Sequence, residues 1–251
     1  MAYRINLLFV RETIKMITDF LDIFFPKRCL SCHKESSYVC PDCFAKIPLQ
    51  RSLRCYVCAK RAPNGKTCPA CKTKIGSCLT GLAIASDWKN MLVRQMIYEF
   101  KYRFIKDLAD PLGNLLIKFF DLNKIELNKI INFQILIPVP LHKRRLSWRG
   151  FNQAQLLAFQ LNKHLNIELI DNLLIRRRYT LPQMEIKDRN QRIKNVSGIF
   201  SVDPQNQNAI RDKIVLLVDD ICTTASTFEN CAKALWPLKP KQIWALAVAR
   251  D

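Results

Sequence analysis

From residue 79 onward the hydrophobic positions fall into short dense runs separated by stretches of helical spacing. Ile214 to Val218 is an unbroken run of β-favouring residues, which predicts a strand buried on both faces. Leu79 to Ser86, Ile135 to Val139, Ile199 to Val202 and Ile243 to Val248 read as strands too, and Ile167 to Ile170 is a further candidate. Helical spacing covers residues 90–104 through Met91, Ile97 and Phe100, and residues 107–120 with Asp107 as the cap. It returns from Asn152 to His164 and again through Phe228, Cys231, Ala232 and Leu235. His142 to Gly150 reads as a basic loop, Pro204 to Asn208 as a turn, and residues 171–198 as polar and basic without periodicity. Strands alternating with helices predict an α/β fold with a mostly parallel sheet.

The first 25 residues carry a different pattern. Ile5, Leu8, Phe9, Thr13, Met16, Ile17, Phe20 and Phe24 form one helical stripe, ended by Pro26. Arg4, Arg11, Glu12, Lys15, Asp19 and Asp22 break the apolar runs too often for a membrane span or a signal peptide. An amphipathic helix packed on its own protein, or docked on a membrane surface or partner, fits the stripe.

Residues 26–78 have few long apolar runs and many cysteines. Of 11 cysteines in the chain, eight form two quartets: Cys29, Cys32, Cys40, Cys43, then Cys55, Cys58, Cys68, Cys71. Each quartet is two Cys-x-x-Cys knuckles around a spacer, of seven and nine residues respectively. A knuckle aims two thiolates at one ion, and two knuckles complete a tetrahedron with no open position, so the expected metal is structural zinc, two ions in all. The spacing leaves open whether knuckles pair sequentially or interleave. Repeated knuckles point to metal in a reducing, cytoplasmic setting rather than to disulfides. The predicted organisation is a helix or extension over 1–25, a double zinc module over 26–78, and an α/β domain over 79–251.

The chain has 251 residues and a net charge of +19. Residues 1–80 hold 14 Lys/Arg against 5 Asp/Glu, and the remainder 26 against 16. Two zinc–tetrathiolate centres would each carry about −2, so part of the amino-terminal surplus offsets the metal sites. The remaining surplus suits phosphate or nucleic acid.

Chemistry concentrates after the Ile214–Val218 strand. Asp219 and Asp220 follow it, then Thr223, Thr224, Ser226 and Thr227, then the next helix. In open α/β sheets ligands sit beyond the carboxyl ends of the strands, and a helix amino terminus with added hydroxyls suits a phosphate. Paired carboxylates beside it suit vicinal ribose hydroxyls. Lys143, Arg144, Arg145 and Arg149 follow the Ile135–Val139 strand and fall at the same sheet edge, where they suit pyrophosphate or DNA.

The string from Asp219 to Thr227 resembles the PRPP-binding motif of type I phosphoribosyltransferases, except that Ala225 stands where the motif has glycine. The resemblance implies that Asp219 and Asp220 hold the ribose, that residues 223–227 hold the 5′-phosphate, and that Mg²⁺ accompanies PRPP. The wider order resembles the ComF family of competence-associated, phosphoribosyltransferase-like proteins. Its blocks here are the double cysteine module after Phe24, Phe100-Lys-Tyr102, Ile137-Pro-Val-Pro-Leu-His142 with Arg149-Gly-Phe-Asn-Gln153, and Gln183, Arg192 and Asn195-Val196 before the acidic pair. Residues 1–15 extend beyond the start usual for the family, and Met16 is an alternative first residue. The resemblance implies a role in the uptake of single-stranded DNA, with Trp148 and Phe151 as candidate stacking residues. Two other readings stay open: an active Mg²⁺-dependent phosphoribosyltransferase on an unknown acceptor, and a zinc-ribbon adaptor for a helicase or membrane partner. The expected location is cytoplasmic or peripheral at the inner membrane.

Overall fold

The structure, a computed structural model, describes residues 26–62, 65–123, 132–178, 198–206 and 208–251. The amphipathic stripe of residues 1–25 lies outside them, as do Gln183, Arg192, Asn195 and Val196. The chain divides into two compact units, Met1–Lys46 and Ile47–Asp251. In the first, helix α1 (Pro41–Ala45) starts directly after Cys40.

In the second unit, helix α2 (Pro69–Ile75) leads to strand β1 (Gly81–Asp87), α3 (Met91–Tyr102) and α4 (Ala109–Leu122). Strand β2 (Ile135–Pro138), α5 (Lys143–Arg149), α6 (Gln153–Leu165), β3 (Glu168–Leu169) and β4 (Leu174–Arg176) follow. The chain closes with β5 (Phe200–Val202), β6 (Ile214–Cys222), α7 (Ser226–Leu235) and β7 (Gln242–Arg250). Five strands form a parallel sheet in the order β1-β7-β6-β2-β3, and β4 pairs with β5 as a separate antiparallel ribbon. This is the α/β class with a mostly parallel sheet that was expected. Entry of β6 and β7 between β1 and β2 creates a switch in strand order, where the carboxyl ends of β2 and β6 lie side by side.

Side chains alternate across β6. Val215 and Leu217 pack with Phe228, Cys231 and Leu235 of α7 on one face. Leu216 and Val218 are buried on the other. Each such fully buried aliphatic or aromatic side chain contributes roughly 1.5–3 kcal/mol. At Gly81 the backbone passes beneath the Gly65 carbonyl and the Trp244 ring, where a Cβ would stand 2.3 Å from that oxygen and 2.4 Å from the ring. No larger residue can start β1 there.

Three expectations are corrected. β6 does not stop at Val218: Asp219, Ile221 and Cys222 pair with Ala247, Ala249 and Arg250 of β7, so the acidic pair lies inside the strand. The basic stretch expected as a loop is the short helix α5; His142 Nδ1 accepts the Arg144 N–H at 3.2 Å, and Gly150 ends it at φ +78°. Asp107 is not the cap of α4, which begins after Leu108 without a side-chain cap.

Candidate functional site

The two cysteine quartets are built alike. Cys29 and Cys55 each open a tight knuckle: the Cys29 N–H donates to Lys34 O at 2.9 Å and the Cys55 N–H to Lys60 O at 3.0 Å. His33 and Ala59 take left-handed backbone at equivalent places, φ 62° and 59°. The second knuckle of each quartet runs into a helix with proline in its first turn, Cys40-Pro41 and Cys68-Pro69. In each quartet the four sulfur atoms lie within 4.8 Å of one another. Cys32 and Cys40 sulfurs are 3.6 Å apart, and Cys58 and Cys68 sulfurs 3.9 Å. A tetrahedron with zinc–sulfur bonds of 2.3 Å has edges of about 3.8 Å, so the donor sets fit zinc. Ligation is therefore sequential, not interleaved, and His33 belongs to neither set. Burial opposes ionisation of Cys29 and Cys55, yet backbone donors (Cys40, Cys32 and Ser31; Cys58, Cys68 and Val57) bring both thiols down to about 6. Such N–H donors orient thiolates for a metal.

The acidic pair gathers residues from distant segments. Asp220 is buried, and its Oδ1 pairs with Lys101 Nζ at 2.8 Å. Its Oδ2 is buried with no hydrogen-bond partner among the described residues, as is Arg149 Nε. Arg149 Nη1 donates to Gln153 Oε1 at 2.6 Å, and Gln153 Nε2 donates to Phe100 O at 3.4 Å. Burial lowers the Arg149 guanidinium, while the Asp220 and Asp219 carboxylates act the other way. Asp219 faces the α7 side, within electrostatic reach of Arg176 and Cys231. Burial and the Asp220 charge push the Asp219 carboxyl up to about 8, with Lys101 opposing. Arg176 lies over the Phe200 ring at 5.5 Å. Arg145 is half-buried, whereas Lys143 and Arg144 are exposed on α5.

The hydroxyl loop follows. Thr224 Oγ1 and Ser226 Oγ are 2.7 Å apart, the Ser226 N–H donates to Thr224 Oγ1 at 3.4 Å, and Ala225 at the N-cap of α7 supplies no capping side chain. Ala225, where glycine was the expectation, has φ 63°, in the left-handed region. That conformation costs about 1–2 kcal/mol. The strain is present without ligand, and the Ala225 side chain packs into the core with Phe228. Ala225→Gly should therefore raise stability, by up to about 1 kcal/mol once glycine's own entropy is counted. Phosphate affinity should stay within about twofold, as read by urea unfolding beside calorimetry. A large gain in affinity would mean that the Ala225 Cβ crowds the ligand instead.

Residues 20–72 match the double zinc ribbon domain family. Competence protein F of Haemophilus influenzae is 29% identical over 233 residues, covering 85% of this chain and 98% of its own. Competence protein ComFC of Bacillus subtilis is 26% identical over 83% of this chain and 82% of its own. Over most of its length the chain is thus similar to ComF-type competence proteins, and in its amino-terminal part to the double zinc ribbon. The DNA utilization protein YhgH of Escherichia coli O157:H7 is 28% identical over 76% of this chain and 88% of its own. A solved Trypanosoma cruzi hypoxanthine phosphoribosyl transferase overlays 59% of this chain and 66% of its own, at 13% identity and a TM-score of 0.31.

Two of the sequence blocks that resemble the ComF family meet in space beside the acidic pair. Phe100 and Phe151 rings meet at 5.4 Å in a tilted arrangement, Gln153 accepts from Arg149 and donates to Phe100 O, and Lys101 joins its block to Asp220, with Arg149 within electrostatic reach of the pair. Phe151 is 6% exposed, so it packs rather than stacks on a ligand. Lys101 is the residue that sequence reading left without a role. Its position inside Phe100-Lys-Tyr102 was the available signal.

Proposed function

We propose that this ComF-like protein binds a 5-phosphoribosyl or nucleic-acid phosphate at the carboxyl ends of β2 and β6 and serves the uptake of single-stranded DNA, on the cytoplasmic side of the membrane. The observation that carries the reading is convergence: Asp219, Asp220, Lys101, Arg149 and the hydroxyl loop lie at one sheet edge, with buried Asp220 Oδ2 and Arg149 Nε lacking partners among the described residues. Such groups are stabilised by a ligand that supplies hydroxyls and phosphate oxygens. Asp219 and Asp220 would take the ribose hydroxyls, Thr223, Thr224, Ser226 and Thr227 the phosphate, and Arg145 and Arg149 a diphosphate.

Exposed aromatics support a strand of bases nearby. Trp148 is 63% exposed and meets Phe104 edge-on at 4.8 Å, and Tyr98 pairs with Tyr102 at 5.0 Å. Bases stack on such rings whatever their sequence. The relatives named for competence and DNA utilization agree with that assignment. Among the described residues no helix is long and apolar enough to cross a membrane. Affinity for an unstructured single strand should fall about tenfold or more between 50 and 200 mM salt. Removing the charges of Lys143, Arg144 and Arg145 together should flatten that slope. An unchanged slope in a filter-binding series would place the phosphate contacts elsewhere.

The second reading is catalysis. The acidic pair and the cations are both retained, which is what displacement of pyrophosphate from PRPP requires. Release of pyrophosphate in the presence of Mg²⁺ and a panel of bases would favour the enzyme; strand binding without release favours the binding protein.

A further inference from the structure

Glu229 lies in the first turn of α7, at the end of the helix that carries the hydroxyl loop. A carboxylate there suits the helix dipole but competes with any anion bound at the same terminus. Its charge is directed away. The Tyr56 and Ser77 hydroxyls both donate to Oε1, Ser77 at 2.5 Å, and the Cys78 N–H donates to Oε2 at 3.2 Å. Tyr56 is buried, and it sits between Cys55 and Cys58 in the second quartet, so metal ligation on both sides fixes its backbone. The Tyr56 carbonyl also accepts from Arg250 Nη1 at 2.8 Å. Arg250 pairs with Cys222, and the Asp251 N–H donates to Cys222 O at 3.0 Å. One zinc knuckle thus grips both ends of the loop: Cys222 where it leaves β6, and Glu229 where it enters α7.

We infer that the second cysteine quartet acts through Tyr56 as the positioning element of the phosphate loop, holding Glu229 off the amino terminus of α7 so that an external phosphate can occupy it. This rests on the phosphate reading of residues 223–227 given above. Released from Tyr56, Ser77 and Cys78, the Glu229 carboxylate is drawn to the N–H groups at the start of its own helix, as acidic side chains near helix starts are. It then occupies the place of the ligand. Zinc in the second quartet becomes a condition for anion binding although it touches no ligand.

The test uses the full chain, zinc-loaded, with ribose 5-phosphate as the probe. Tyr56→Phe should weaken binding by about tenfold, the effect of losing one hydrogen bond to a charged group. Glu229→Gln added to Tyr56→Phe should restore it to within about twofold. Glu229→Gln alone should bind no worse than wild type. A Tyr56 that serves stability only would lower the melting temperature without this rescue. In parallel, hydrogen exchange at amides 223–228 should quicken in Tyr56→Phe. Unchanged affinity in Tyr56→Phe, or weakened affinity that Glu229→Gln does not restore, overturns the inference. If wild type takes up no ribose 5-phosphate, the phosphate reading fails, and exchange still decides the brace: faster exchange in Tyr56→Phe supports it, and identical exchange overturns it.

Discussion

Lys101→Met is expected to lower the free energy of unfolding by about 2–4 kcal/mol, because it strips the counter-charge from a buried carboxylate. The lower part of the range for a broken buried pair applies, since Lys101 keeps 19% of its side chain exposed against 3% for Asp220. The loss should not come from the missing Lys101 methylenes, because methionine replaces most of them. It should come from Asp220, whose buried carboxylate then loses its ion-pair partner. Lys101 also opposes the upward shift of Asp219, so in the variant the Asp219 carboxyl resists ionisation more strongly. Asp220→Asn added to Lys101→Met should recover most of the loss, since asparagine needs no counter-charge. A double-mutant cycle in urea measures the coupling directly. A single-variant loss below about 0.5 kcal/mol, the range of an ordinary surface pair, would show that Lys101 and Asp220 are not held together.

The second large effect concerns metal. Purified protein should carry two zinc ions per chain, and their loss should have separable consequences because the quartets belong to different compact units. Cys58→Ser should remove one zinc and unfold the segment around Tyr56, Ser77 and Leu79, which packs on β1 and α7. Structural zinc supplies on the order of 10 kcal/mol or more to a module of this size, so melting of the α/β unit should fall steeply. Cys32→Ser should remove the other zinc and leave the melting of residues 47–251 nearly unaltered. Elemental analysis with calorimetric melting reads both. One ion in wild type, or equal losses of melting temperature for the two variants, would contradict the assignment.

What the sequence revealed was local. The quartets were legible because each knuckle is four residues long and its chemistry depends on spacing alone. The strand at Ile214, the helices after Asn90 and Asn152, and the hydroxyl loop were legible for the same reason: Asn90 and Asn152 accept N–H groups from Val93 and Ala154 as caps, within three residues. The extension of β6 through Asp219 to Cys222 was hidden, because its partners are the backbone of Ala247 to Arg250. Helix α5 was hidden because no residue of it is buried, so no apolar period marks it. The roles of Lys101 and Tyr56 were hidden most deeply. Each meets its partner across more than a hundred residues, Lys101 at Asp220 and Tyr56 at Glu229. The left-handed backbone at residue 225 was legible as a question posed by the glycine-to-alanine departure, but the burial of the Ala225 side chain was not.

Binding at the acidic pair is tested most directly by calorimetric titration of the zinc-loaded chain with PRPP and Mg²⁺, in wild type and in the Asp219→Asn, Asp220→Asn double variant. Wild type should bind at one site per chain. Affinity should climb as pH rises toward about 8, because Asp219 must give up its proton to meet the ligand as a carboxylate. The double variant should show no heat of binding while keeping both zinc ions. Absence of binding in wild type, or equal affinity in the two proteins, would contradict a phosphoribosyl site at Asp219 and Asp220.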